Sequence, residues 1–200
     1  MNRIPLPRNF YDRHVVRVAR ELLGKLLLRR TSDGQCAGRI VEVEAYLADD
    51  DSACHAYRGR TRRNATMFGP PGRAYVYAIH SRYCMNVVTE PEGVASAVLI
   101  RALEPLEGID SMKRRRGTDE LLDLARGPAR LCEALQVDRN LDGWELTRGE
   151  ELWIADDPHA GAKDHRIGVS TRIGVTSAQD LPLRFFFEDN RFVSGSRRGR

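Results

Sequence analysis

The sequence predicts a single α/β domain of the α+β kind, in which hairpin-linked strands outweigh a few short helices. Three observations carry this. With 200 residues, 42% apolar and 30% charged side chains, the chain suits one domain with a substantial core. The runs RIVEVEAY (39–46) and AYVYAI (74–79) alternate as strands do. Short polar links, Ser32-Asp33-Gly34 and His80-Ser81-Arg82, join successive runs as hairpin turns do.

Taken in order, residues 1–9 read as an irregular lead-in. Asp12 is placed to cap a helix reaching Leu23, with Val15, Val18 or Ala19, and Leu22 on its apolar face and Gly24 at its end. Residues 25–30 and 38–47 form a predicted hairpin. Residues 48–73 lose all periodicity and hold Asp49–Asp51, His55, and a basic run at Arg58, Arg60, Arg62 and Arg63. A loop this long inside a compact domain is usually functional or disordered, and its His, aromatic and Arg content favours function. Residues 74–79 and 83–88 form a second hairpin with a polar, cationic tip, followed by the strand ASAVLIRALEP. Residues 108–116 and 127–137 read as short helices. The run Lys113 to Arg116 on the first is a solvated face or a phosphate contact, and Gly127-Pro128 opens the second. Residues 151–155, the two RIGV segments at Arg166 and Arg172, and LRFFFE (183–188) read as later strands. The domain is expected to span 1–193, and 194–200 to be a basic, disordered tail.

Composition narrows the function classes. The net charge is +4, and lysine occurs only at Lys25, Lys113 and Lys163, so the basic residues are almost all arginine. That bias suits a nucleic-acid surface, though genomic base composition produces it equally well. Cys36, Cys54, Cys84 and Cys132 lie far apart, with no zinc-type spacing, and are expected to be free thiols in a reducing compartment. No signal pattern and no apolar run of membrane-spanning length occurs, so an intracellular protein is expected, with no membrane partner. In a bacterium it would be cytoplasmic and associated with the nucleoid.

Chemistry concentrates on one strand. Alternation over residues 39–46 puts Val41, Val43 and Ala45 on one face and Ile40, Glu42, Glu44 and Tyr46 on the other. Two acids in a strand interior are costly unless paired or needed. Arg101, inside an otherwise apolar strand, requires an acid or an anionic ligand, and Glu42 and Glu44 are the candidates. Of the two, Glu42 is better suited to a structural ion pair. An acid acting on water, an arginine orienting it, and His55, Tyr46, Tyr75 and Tyr77 to stack on a flat ring suit hydrolysis of a bond to a planar heterocycle. Asp49–Asp51 reads as a loop cap or repulsive edge, since no second acidic cluster supports a metal nuclease.

In sequence, RIVEVEAYL, His55, NATMFGPPGRAYVYAI, YCMNVV, AVLIRALEPLEG, GPARLCEAL and RIGV…LPLRFFF follow one another from about Phe10 to Val193. In that order they resemble the alkyladenine DNA glycosylase family, the 3-methyladenine DNA glycosylases of the animal and bacterial type. The resemblance implies a compact domain around a strongly curved antiparallel sheet, with flanking helices, a protruding hairpin, and neither metal nor organic cofactor. It implies a monomer that removes alkylated or deaminated purines from double-stranded DNA and leaves abasic sites. By position, Glu44 matches the general base and Arg101 the arginine that helps hold the attacking water, with a backbone carbonyl near Ile173 as third partner. Tyr46, His55 and Tyr77 match the pocket around the flipped base, and Asn86 its floor. Tyr75, Arg62, Arg63, His80 and Arg82 are grouped as DNA wedge and phosphate contacts. The family usually places a tyrosine at the hairpin tip. Here His80 is either the wedge or a solvated turn residue. A catalytically silent damage-binding protein is the alternative, and loss of Glu44 or Arg101 would mark it; both are present.

Overall fold

The structure is a computed structural model, described here for residues 3–158 and 165–195. Two helices lead in, α1 (Arg8–Tyr11) and α2 (Val15–Leu22). The α2 cap is His14, whose Nδ1 accepts from the Val16 N–H, rather than Asp12. Its buried face is Val15, Val18, Ala19 and Leu22, the i, i+3, i+4, i+7 set that the sequence pattern places there.

Strands β1 (Leu26–Thr31) and β2 (Gly34–Tyr46) form the first hairpin, β3 (Ala74–Ile79) and β4 (Arg82–Thr89) the second, and β5 (Ser96–Glu107) returns along β2. Helices α3 (Ile109–Arg116) and α4 (Pro128–Ala134) follow, then β6 (Leu152–Ala155), β7 (Ile167–Ser170) and β8 (Arg184–Phe187). The sheet is antiparallel and curled, with neighbours in the order β3-β4-β5-β2-β1-β6. One edge of β2 is shared: its first half pairs with β1, and residues Glu42 to Glu44 pair with β8, which carries β7 outside it. The second RIGV segment forms no strand. Residues 171–183 are a run of bends and turns that folds over the end of β2.

Three register shifts interrupt the pairing of β2 with β5, and two of them flank Glu42. Ile40 faces Leu103, Glu42 faces Ala102, and Val43 faces Ile100, so Val41 on one strand and Arg101 on the other lack a directly opposed partner. Such paired bulges bend a strand and re-aim its side chains. The expected alternation therefore fails at one point, because Ile40 joins Val41, Val43 and Ala45 in the main core instead of sharing a face with Glu42. That core lies between the sheet and the helices. A smaller apolar cluster forms on the other face of β3, β4 and β5, around Met67, Tyr75, Tyr77 and Leu99.

Gly108, between β5 and α3, has φ +70°, and a Cβ there would stand 2.5 Å from the Cys36 sulfur. Only glycine fits such a left-handed, crowded corner. Two of the four cations on α3 turn inward, while Arg114 stays exposed and donates to Ser111. Arg115 binds Thr31, Asp33 and the Ala134 carbonyl, and Arg116 binds Glu133 and the Leu124 carbonyl. All four cysteines are buried free thiols. No described helix is long and apolar enough to cross a membrane.

Candidate active site

Glu44 and Glu42 point to the same side of β2, and neither is exposed at all. Glu44 meets one cation and two hydrogen-bond donors. The Arg101 guanidinium is 3.0 Å from Oε1. The Ile173 N–H donates to Oε1 (2.7 Å), and the Tyr46 hydroxyl donates to Oε2 (2.9 Å). A carboxylate offers about four lone-pair sites, so two hydrogen bonds leave it short of its capacity, with Oε2 the less crowded oxygen. The Ile173 contact runs through its N–H, whereas the sequence reading assigned a role to a carbonyl nearby.

Arg101 is aimed here by the bulge on β5. Its Nε donates to Glu42 (3.1 Å) while the other side of the guanidinium meets Glu44, so one cation spans both acids. Burial works against its charge, but the facing Glu44 and Glu42 outweigh that and raise its pKa above the ordinary value. Glu42 also accepts from Arg184 Nε (2.7 Å) and from the backbone N–H (2.6 Å) and hydroxyl (2.9 Å) of Ser194. Ser194 is therefore a buried partner of the core. It is not part of a loose tail, while residues 196–200 of that expected tail lie outside the described residues.

Tyr46 opens onto a cavity of about 330 Å³, whose walls include His55, Met67, Tyr75, Tyr77, Ile79, Asn86 and residues 174–177. That volume falls within the range of small-ligand pockets. The His55 and Tyr77 rings meet edge to face with centroids 4.5 Å apart, which is direct contact. The two therefore form one wall. Tyr75 is 1% exposed, lies beneath that wall, and bonds His55 Nδ1 through its hydroxyl (2.9 Å). Grouping it with DNA-contact residues was wrong: its ring lines the pocket, because β3 alternates Tyr75, Tyr77 and Ile79 onto that face. Asn86 is buried at the base, with Nδ2 donating to the Tyr75 carbonyl (3.1 Å).

Protonation in the pocket follows from burial. Desolvation, then the charge of Glu44, raises the Tyr46 hydroxyl, and burial raises Tyr77 and pushes Tyr75 up to about 12. All three stay neutral donors. Burial, aided by the Arg63 charge, lowers the His55 imidazole, which is neutral at pH 7.

Around the mouth, Arg62 and Arg63 are exposed, and Arg63 donates to the Ala78 carbonyl (3.1 Å), tying the long loop to the hairpin. His80 and Ser81 form a two-residue tip with φ +45° and +66°, the left-handed geometry of tight hairpin turns. Arg82 already belongs to β4, opposite Ile79, and both His80 and Arg82 are exposed. Among the described residues no cluster of His, Cys, Asp and Glu is arranged to hold a metal.

Sequence reasoning missed Asp51 and Arg172. Their side chains are wholly buried and joined by two bonds of 2.6 and 2.7 Å. Asp51 does cap the loop, accepting from the Leu47 and Ala53 N–H groups, but it is an ion-paired acid and not a repulsive edge. The cation repeated in the RIGV segments was the available signal, but nothing in the sequence pairs it with an acid 121 residues earlier.

A family model described as methylpurine-DNA glycosylase (MPG) matches residues 9–191. Relatives named "Putative 3-methyladenine DNA glycosylase" include one from Carboxydothermus hydrogenoformans, 49% identical over 190 residues (94% of this chain, 98% of that protein). One from Methanoculleus marisnigri is 50% identical over 190 residues, with the same shares covered, and one from Chlorobium phaeobacteroides is 44% identical over 197 residues, 98% of each chain. With its curled sheet, its twin acids and a match over nearly its whole length, this chain belongs to the methylpurine-DNA glycosylase family.

Proposed function

We propose that the protein is a monofunctional DNA N-glycosylase that acts as a monomer on duplex DNA and excises alkylated or deaminated purines of the 3-methyladenine class. The observation that carries this reading is a buried carboxylate with unfilled hydrogen-bonding capacity, set behind an aromatic cavity and held by an arginine. In this reading the damaged nucleotide swings out of the duplex, and its base stacks in the cavity against Tyr46 and the His55–Tyr77 wall. Flipping costs a few kcal/mol, least at damaged or mismatched pairs, which supplies part of the selectivity.

Glu44 then takes a proton from a water bound at Oε2, which it reaches past the Tyr46 hydroxyl. The water oxygen bonds to C1′ of the deoxyribose, the C1′–N bond breaks, and its electron pair leaves with the base. The developing sugar cation is stabilised by the adjacent carboxylate. An alkylated purine already carries positive charge and leaves as a neutral molecule. Tyrosine faces attract such a ring, and a neutral His55 does not repel it. Asn86 at the base of the pocket disfavours the amino group of guanine. Arg62, Arg63 and Arg82 meet phosphates around the mouth, and His80 enters the groove at the vacated position.

A covalent amine mechanism has little support. Lys25 and Lys113 face Asp156 and Asp119, away from the cavity. Presence of both Glu44 and Arg101, in contact, also argues against a silent binding protein. The test is base release from a duplex carrying one methylated or etheno purine. Free base and an intact abasic strand are expected. No release, or strand cleavage before any alkaline treatment, would overturn the proposal.

A further inference from the structure

Arg172 faces none of the reacting atoms, yet it touches the end of β2 and the start of the His55 loop. Besides its two bonds to Asp51, it donates to the Ala45 carbonyl (3.1 Å), the residue between Glu44 and Tyr46 on β2. Its guanidinium carbon lies 4.6 Å from the centre of the Tyr46 ring. Asp51 in turn accepts from the N–H groups of Leu47 and Ala53 (3.1 Å each), which fixes the start of the loop that carries His55. The residue after Arg172 is Ile173, whose N–H sits on Glu44 Oε1. One ion pair therefore joins the end of β2, the His55 loop and the 171–183 loop.

We infer that Asp51 and Arg172 are the positioning pair of the active site, holding the Ile173 N–H on Glu44 and the Tyr46 ring at its angle. This deepens the glycosylase reading and rests on it. The physical reason is geometric. The Ile173 N–H and the Arg101 guanidinium both sit at Oε1, so with the loop in place the less crowded oxygen is Oε2, on the side of Tyr46. Without the pair, the loop loses its tether to β2, and water can settle on either oxygen. The aromatic ring that stacks the base loses the cation that braces it. The isolated need of a buried arginine for an acid explains the ion pair alone. It does not explain why the same guanidinium also clasps Ala45 and Tyr46.

The test replaces both members with apolar residues of similar size, Asp51→Leu with Arg172→Met. Removal of a whole buried pair is often neutral for stability, whereas removal of one member is not. Thermal unfolding, affinity for a duplex with one etheno-adenine, and the single-turnover excision rate are measured on the double variant, the wild type and Glu44→Gln. The expected result is a cooperatively folded protein with affinity within about threefold of wild type and excision slower by about 30- to 100-fold, the scale of a small misplacement. A wild-type excision rate in the double variant, or equal losses of affinity and rate, overturns the inference. If the double variant does not fold, Arg172→Lys decides. It keeps a cation on Asp51 but cannot make the paired bonds and the ring contact together, and the same split of rate from affinity is expected. A wild type that releases no base overturns the functional reading and this one together, while an active wild type beside an equally active double variant overturns this one alone.

Discussion

Glu42 and Glu44 stand two residues apart on one strand, both fully buried and both on the same arginine, and they do different work. Glu42 has four donors from Arg101, Arg184 and Ser194, about the full capacity of a carboxylate. Glu44 has two beside the Arg101 cation, one of them the hydroxyl of a residue that lines the cavity. The saturated acid binds the sheet to the segment around Ser194. The unsaturated one keeps a lone pair for chemistry. Residue type and burial are identical at the two positions, so only the count and origin of the donors separate an ion-pair anchor from a candidate base.

Exchanging each acid for its amide tests that division directly. Glu44→Gln is expected to slow base release by about 10²- to 10⁴-fold in single-turnover assays while binding to a lesion duplex persists. For Glu42→Gln the main loss should appear in urea unfolding, at about 3–5 kcal/mol, because Arg101 and Arg184 would keep buried charges without their acid. If the two variants lost rate and stability alike, the comparison would collapse.

Smaller effects sharpen it. Tyr46→Phe removes the donor on Oε2 but leaves the ring, and a roughly tenfold slower excision with unchanged unfolding is expected from the loss of one bond to a charged group. Equal damage to stability would mean that Tyr46 serves the fold as Glu42 does. The least effect concerns His55. Its folded pKa is depressed below the ordinary 6.5, so its contribution to stability is fully present above that value and lost as pH falls through the folded pKa. His55→Gln should therefore flatten the decline in unfolding midpoint between pH 7.5 and pH 5, seen in paired urea titrations.

Local pattern made much of this legible. The α2 face, both hairpins and the long functional loop followed from periodicity and turn residues, and the Glu44–Arg101 pair from a cation placed in an apolar strand. What stayed hidden depends on contacts between distant residues. The bulges that send Ile40 into the core arise from register against β5, which no single segment encodes. Asp51 looked like one acid among three, and its meaning comes from Arg172 on another loop. Tyr75 sat in the correct alternation, but only the packing of His55 over it shows that it cannot reach a phosphate. The cations of α3 carried a mixed lesson, since Arg115 and Arg116 are spent on carbonyls and acids within the domain while Arg114 is solvated.

The Ser194 contact has a consequence for how the molecule comes into being. Glu42 is made early, but Arg184 and Ser194 lie 142 and 152 residues further along. Of its four bonds, only the one from Arg101 can form before those residues are made. Closure over so long a separation is slow, and it makes the Ser194 segment a latch instead of an ornament. A nascent chain that stops short of residue 194 should stay loose and exposed to proteases, however complete its hairpins.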